Sequence, residues 1–224
     1  MQANDVGVVL DLDGTLVDSR ADIANAANAA MEAVGLLCLD PSMIAGFVGD
    51  GARALVQRCL EHQQATELLD EAFTQFCSEY ERAVCVCTRP YPRVVETLLV
   101  LQSQGYRIAL CTNKPREMTV PLLAQLELAG FFETLACGED LERKKPDPLP
   151  LRTIAQRLQL QTERLVMVGD SPQDVQAGKA AGARTVGVTY GIGSLESVRA
   201  LAPDALIDSF QELPPTIERL LGKQ

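Results

Sequence analysis

Histidine is almost missing from this chain of 224 residues: the only one, His62, lies in the polar stretch Glu61-His-Gln-Gln64. Zinc sites built on several histidines are therefore excluded, and a triad that needs a histidine base is disfavoured. Basic residues are also scarce, 20 against 30 acidic, for a net charge of -10. Such a surface is repelled by nucleic acid and by anionic membrane, so neither is expected as an extended partner. Only local basic groups remain to hold a small anion. No apolar run reaches the roughly 18 residues of a membrane span, and no basic leader precedes the first apolar run. Seven cysteines occur without any C-x-x-C pair. An odd number among apolar neighbours reads as reduced cysteines used as small hydrophobes, with a redox role for Cys85-Val-Cys87 the lesser alternative. The expectation is a soluble, cytoplasmic protein.

Against these absences stands Asp11-Leu-Asp13-Gly14-Thr15, directly after the apolar run Val6–Leu10. Strand side chains alternate faces, so Asp11 and Asp13 point the same way at the end of a buried strand. Like charges that close need a proton or a metal to compensate them. The pair reads as a carboxylate nucleophile with a hard cation.

The length fits one large domain, or one domain with a second inserted in it. The spacing of the elements favours the insertion. Short β-branched runs predict strands at Val6–Asp11, Arg107–Thr112, Thr134–Cys137, Leu165–Asp170 and Thr185–Thr189, with a sixth at Ala205–Asp208. Amphipathic helices such as Val94–Gln104 and Pro148–Leu158 lie between them. Continuous apolar strands separated by helices imply an α/β fold whose parallel sheet is covered on both faces. The first interval is far longer than the rest and reads as helix throughout. Its apolar stripes are Ile23, Ala27, Ala30, Met31 and Val34; Leu55, Val56, Cys59 and Leu60; and Leu68, Leu69, Ala72, Phe73 and Phe76. Residues 18–85 are read as a small helical domain inserted into a core of residues 1–17 and 86–224, with Arg89-Pro-Tyr-Pro92 as a stiff return hinge.

Ligands of open parallel sheets bind beyond the carboxyl ends of the strands. Those ends carry Asp11-Leu-Asp13, Thr112-Asn113-Lys114-Pro115 and Gly169-Asp170-Ser171-Pro172-Gln173-Asp174, while Lys144-Lys145-Pro146-Asp147-Pro148 precedes a helix. Taken singly, each has a plain structural role. Asp174 completes a capping box with Ser171, Asp147 is an N-cap, Thr112 ends a strand and Lys145 is a surface charge. What those roles leave unexplained is why every carboxyl end is polar and chemically complementary to the others.

Asp11-Leu-Asp-Gly-Thr-Leu-Val-Asp18, Thr112, Lys145-Pro and Gly169-Asp-Ser-x-x-Asp174 resemble, in order, the four motifs of the haloacid dehalogenase-like phosphohydrolases. The helical insert resembles that family's small cap on a Rossmann-like core. Thr112-Asn-Lys-Pro115, Lys144-Lys-Pro-Asp-Pro148, Gly187-Val-Thr-Tyr-Gly191 and Phe47-Val-Gly-Asp-Gly-Ala52 are similar to segments of bacterial phosphoglycolate phosphatases.

The resemblance implies that Asp11 attacks phosphorus to form an aspartyl-phosphate, with Asp13 as general acid and then base. It implies Mg²⁺ on the Asp11 carboxylate, the Asp13 main-chain carbonyl and Asp170, with Asp174 just outside those ligands or bound through water. Thr112 and Asn113 would hydrogen-bond phosphate oxygens, and Lys145, directly before proline, would offset charge on the nucleophile and the transferring group. Asp13 argues for phosphoester hydrolysis, since dehalogenating relatives lack this acid and the metal. The insert holds no lysine for a Schiff base, and position 23 is Ile23 where sugar phosphomutases carry a hinge histidine. In the insert, Gly49 and Gly51 make a loop that lets a small ligand approach closely, with a plain interhelical turn as the alternative. Arg53 is the expected partner of a substrate carboxylate, and Arg20, Arg58 and Arg82 are its rivals.

The expected activity is Mg²⁺-dependent hydrolysis of a small phosphomonoester, 2-phosphoglycolate first, by a monomer or homodimer. A phosphosugar, a nucleotide and pyrophosphate are the alternative substrates. A non-catalytic binder of phosphorylated metabolites is the reading from a different class.

Overall fold

The computed structural model describes residues 5–222; residues 1–4 and 223–224, which the expected core segment includes, lie outside the described residues. Six strands form one parallel sheet: β1 (Gly7–Leu10), β4 (Arg107–Cys111), β5 (Thr134–Ala136), β6 (Leu165–Gly169), β7 (Arg184–Val188) and β8 (Ala205–Ile207). A separate two-stranded ribbon is made by β2 (Val17–Asp18) and β3 (Arg89–Pro90). The order in the main sheet is β5-β4-β1-β6-β7-β8. β1 is therefore central, with Leu10 opposite Leu110 on one side and Val168 on the other.

Both faces are covered, which is why the central strands are apolar throughout. Val8, Leu10, Ile108, Leu110, Val166 and Val168 face the layer that includes α5 (Val94–Ser103), α6 (Arg116–Gln125) and α10 (Leu213–Leu220). Val9, Ala109, Cys111, Leu165 and Met167 alternate to the other face. There they pack on α7 (Leu149–Arg157) and α8 (Pro172–Ala181) through Leu151, Ile154, Ala155 and Ala177. The remaining α-helix of the core, α9 (Leu195–Ala200), follows β7. All six expected strands are present. Their predicted last residues Asp11, Thr112, Cys137, Asp170, Thr189 and Asp208 stand just beyond the ladders, five of them polar groups released from the sheet into the loops.

The long first interval is helical: α1 (Arg20–Ala33), α2 (Pro41–Ala45), α3 (Ala52–His62) and α4 (Leu69–Arg82). The expected stripes close on one another, with Ile23, Ala27, Ala30 and Met31 buried against Leu55, Val56, Cys59, Leu60, Ala72 and Phe76. The chain leaves and re-enters the core side by side, because Val17 pairs with Pro90 and Asp18 with Arg89 in antiparallel register. Asp22, in the first turn of α1, ties the returning segment. Its carboxylate accepts from the Cys87 and Thr88 backbone N–H groups at 2.8–3.0 Å and from Thr88 Oγ1 at 2.7 Å. No helix among the described residues is long and apolar enough to cross a membrane.

Candidate active site

The strand order reverses between β1 and β6, and there Asp11 and Asp170 emerge from adjacent strands. This is the crevice where open α/β sheets bind ligands. Asp11 is held at the tip of β1 by its own N–H donating to Val168 O at 3.0 Å. Gly14, at φ 85°, then turns the chain beneath Asp170; a Cβ there would lie 2.0 Å from Asp170 Oδ2. Only glycine fits that turn without moving the carboxylate.

Lys145 is the hub. Its buried ammonium donates to Asp11 Oδ1 at 2.8 Å, Asp174 Oδ1 at 2.6 Å and Cys111 O at 2.7 Å. Burial alone would lower its pKa, but Asp11 and Asp174 outweigh that and raise it, so it stays charged. Asp174 Oδ2 accepts from the Ser171 N–H and hydroxyl at 3.0 and 2.7 Å, so the capping role and the place in the site are filled by one side chain. Asp147 caps as expected, accepting the Leu149 N–H at 2.8 Å. Asp170 Oδ2 accepts the Ile192 and Gly193 N–H groups at 2.7 and 2.8 Å.

Asp11, Asp170 and Asp174 each bring a carboxylate oxygen within 4.8 Å of the others, all three buried. One lysine cannot balance three such groups. Burial, opposed by Lys145 but reinforced by Asp174 and Asp170, lifts Asp11 above the usual carboxylate range. Burial and then Asp174 push Asp170 up to about 6. A hard divalent cation fits this all-oxygen, charge-deficient set. The oxygens with room for it are specific. Among the described residues Asp11 Oδ2 has no hydrogen-bond partner and Asp170 Oδ1 has only Thr15 Oγ1 at 3.4 Å, whereas both oxygens of Asp174 are taken.

Asp13 faces the same cavity as Asp11 but has different neighbours. Its Oδ1 accepts from Ser19 Oγ at 2.6 Å, and both oxygens receive Lys114 Nζ at 3.0–3.1 Å. Lys114 also stands over the Tyr80 ring, 4.5 Å from its centroid. Burial opposes the Lys114 charge, yet Asp13 and then Tyr80 win and raise its pKa. Neither Lys114 nor Ser19 stands out from sequence alone. The lysine's place in Thr112-Asn-Lys-Pro115 is the one signal that marks it.

Thr112 lines the cavity, with its hydroxyl oxygen accepting the Lys114 N–H at 3.2 Å. Asn113 lines it too, but its side-chain amide is turned elsewhere, donating to Gly49 O at 2.8 Å and Lys145 O at 2.9 Å. Gly49 and Gly51, with φ of 128° and 89°, bring the loop before α3 onto the sheet's carboxyl edge. Lys144 Nζ reaches Asp50 O at 2.6 Å and Gln173 Nε2 reaches Asp50 Oδ1 at 2.7 Å. Arg53, expected as the partner of a substrate carboxylate, is not among the residues that line the cavity: at the second position of α3 it is exposed, paired with Asp70 and stacked on Phe73 at 5.2 Å. Its rivals are likewise engaged by neighbouring acids: Arg20 by Asp18, Arg58 by Asp50 and Arg82 by Glu79. The cavity wall supplied by the insert and α6 is mostly apolar: Ile23, Val48, Ala52, Leu55, Phe76 and Met118, with Tyr80.

An α/β fold with an acid-lined crevice and a helical insert defines a hydrolase of the haloacid dehalogenase type, and the comparisons agree. The family model for haloacid dehalogenase-like hydrolases matches residues 8–188. The chain is 39% identical over 224 residues to a phosphoglycolate phosphatase of Neisseria meningitidis, covering 97% of this chain and 95% of the relative. It is 41% identical over 209 residues to a plasmid-encoded phosphoglycolate phosphatase of Cupriavidus necator, covering 92% and 90%. A crystal structure of a predicted phosphoglycolate phosphatase from Haemophilus somnus superposes with a TM-score of 0.90 at 31% identity, covering 95% of this chain and 98% of that one. The chain belongs to the haloacid dehalogenase-like hydrolases. Within them it is a phosphatase similar to the phosphoglycolate phosphatases.

Proposed function

We propose that this phosphatase is Mg²⁺-dependent and cleaves a small phosphomonoester, 2-phosphoglycolate first, through an aspartyl-phosphate on Asp11. The observation that carries the reading is the asymmetry of Asp11. Oδ1 is anchored by Lys145, while Oδ2 is open at the strand-order reversal beside Asp170. In the first step Asp11 Oδ2 forms a bond to phosphorus as the ester P–O bond breaks, and Asp13 gives its proton to the departing alkoxide. In the second, a water attacks the aspartyl-phosphate while Asp13 takes its proton. The P–O bond to Asp11 breaks, and inorganic phosphate leaves. Lys145 opposes the burial that raises the Asp11 pKa and orients its carboxylate throughout. The Thr112 hydroxyl and the Asn113 backbone N–H donate to phosphate oxygens. Mg²⁺, held by Asp11, Asp170 and the Asp13 carbonyl with Asp174 behind them, would supply charge neutralisation for carboxylates and phosphate alike.

Residues 18–85 act in this reading as a cap whose Gly49-Asp50-Gly51 loop closes the crevice and excludes water. The apolar wall favours a small substrate. A phosphosugar or nucleotide would lay several hydroxyls against Leu55, Phe76 and Met118 without hydrogen-bond partners. The names of the relatives favour 2-phosphoglycolate among small esters. Seven free cysteines suit a reducing compartment, the cytoplasm.

The test is phosphate release from a panel of 2-phosphoglycolate, phosphosugars, nucleotides and pyrophosphate. Release is expected to need Mg²⁺, to be most efficient on 2-phosphoglycolate, and to fall by at least about 10³-fold in Asp11→Asn. Release from every substrate without a divalent cation, or undiminished in Asp11→Asn, would sink the reading.

A further inference from the structure

We infer that Lys114 and Tyr80 form a subsite for a carboxylate on the substrate's leaving group, the part that is not transferred; this rests on the phosphatase reading above. Three observations meet at one end of the cavity. Lys114 is its only cationic lining residue among the described residues, and it is 7% exposed. Tyr80, from α4, lines the same end at 1% exposure; its hydroxyl makes no well-formed hydrogen bond, and the one polar group acting on it as a hydrogen-bonding neighbour is the Lys114 ammonium. The remaining wall contributed by the insert is apolar, Ile23, Val48, Leu55 and Phe76.

A buried hydroxyl without a well-formed hydrogen bond is costly, so a ligand group that satisfies it binds more tightly. The Lys114 ammonium has three donors. Asp13 engages it through two contacts, at 3.0 and 3.1 Å, and its third donor lies toward Tyr80, where a ligand oxygen can be shared between ammonium and hydroxyl. A carboxylate offers two oxygens for two donors of different residues, and its one short carbon link matches a wall that gives no other polar partner. Lys114 follows β4 and Tyr80 ends α4, so the subsite is complete only with the helical insert against the core. The substrate's acid group would then bridge the two bodies, which ties recognition to closure. Arg53, directed at Asp70, takes no part.

Binding of non-hydrolysable phosphonates tests this independently of turnover. Isothermal titration in Mg²⁺ buffer would compare 3-phosphonopropionate with propylphosphonate, which lacks the carboxylate, and with methylenediphosphonate. The wild type is expected to bind 3-phosphonopropionate at least tenfold more tightly than either. Lys114→Met should abolish that preference, its loss of affinity falling at least about tenfold more heavily on 3-phosphonopropionate than on propylphosphonate. Tyr80→Phe, which keeps ring and packing, should narrow the preference several-fold, and it carries the test if Lys114→Met proves misfolded by circular dichroism. No preference in the wild type, or a preference retained in a folded Lys114→Met variant, overturns the subsite. Tighter binding of methylenediphosphonate overturns its assignment to a carboxylate, and a full preference in Tyr80→Phe removes the hydroxyl from it. If the preference holds but no phosphomonoester releases phosphate, the subsite stands and the phosphatase mechanism falls.

Discussion

A single side chain can do two jobs in this protein, and Asp174 shows it. Asp174 caps α8 through Ser171 and at the same time pairs with Lys145, so neither of its sequence readings excluded the other. Lys145 was legible because it stands directly before a proline in a known pattern. Lys114 was not, since its meaning comes from Tyr80 and Asp13, which are remote in sequence and meet only in the fold. Asp22 does not stand out in the sequence. Burial alone would raise its pKa, but the hydrogen bonds from Thr88 and Cys87 prevail and hold it below the usual carboxylate range. A lowered folded pKa means that the stabilisation is whole above the unfolded value of about 3.9 and is lost as pH falls through the lower folded value. Asp22→Ala is expected to cost about 2–3 kcal/mol in urea unfolding at pH 7. The difference from the wild type should shrink below about pH 4. A difference independent of pH would contradict an ionised Asp22.

At the scale of elements, strands were the most legible part. Continuous apolar runs can be satisfied only by a sheet covered on both faces, and each run stopped where a polar loop began. The ribbon of β2 and β3 was not legible: two residues per strand carry no periodicity, and its partners stand at the two ends of the insert. The glycine-rich loop was read as a loop entering a helix, and so it is, but its contacts with Asn113, Lys144 and Gln173 depend on how the insert sits. Gly51 tests that contact. Its φ is 89°, and a Cβ would lie 2.8 Å from Asn113 O, a backbone atom that cannot swing aside. Gly51→Ala should lift the loop from the sheet edge and lower kcat/KM about tenfold or more, chiefly through KM, with thermal unfolding changed little beyond the roughly 1 kcal/mol of a positive-φ alanine. Unchanged steady-state kinetics would show that the loop does not close the site.

At the scale of the whole molecule, strand order determines which polar strand ends meet. Strand order is invisible in a single sequence, yet it is what makes Asp11 and Asp170 neighbours, across residues that β4 and β5 occupy on the other flank. The motifs indicated that polar strand ends converge; the doubly wound order explains how. The overall charge of -10 then has a local exception, since Lys145 and Lys114 are both buried at this edge, one against Asp11 and one against Asp13. An acidic protein can thus accept an anionic ester at one point. The central claim is that Asp11 bonds to phosphorus, and the direct measurement is a single-turnover reaction with ³²P-labelled 2-phosphoglycolate and Mg²⁺, quenched in acid and mapped by peptide. The predicted result is transient, base-labile label on the peptide that contains Asp11, absent in Asp11→Asn. Phosphate released at the full rate with no labelled protein at any time point would contradict it.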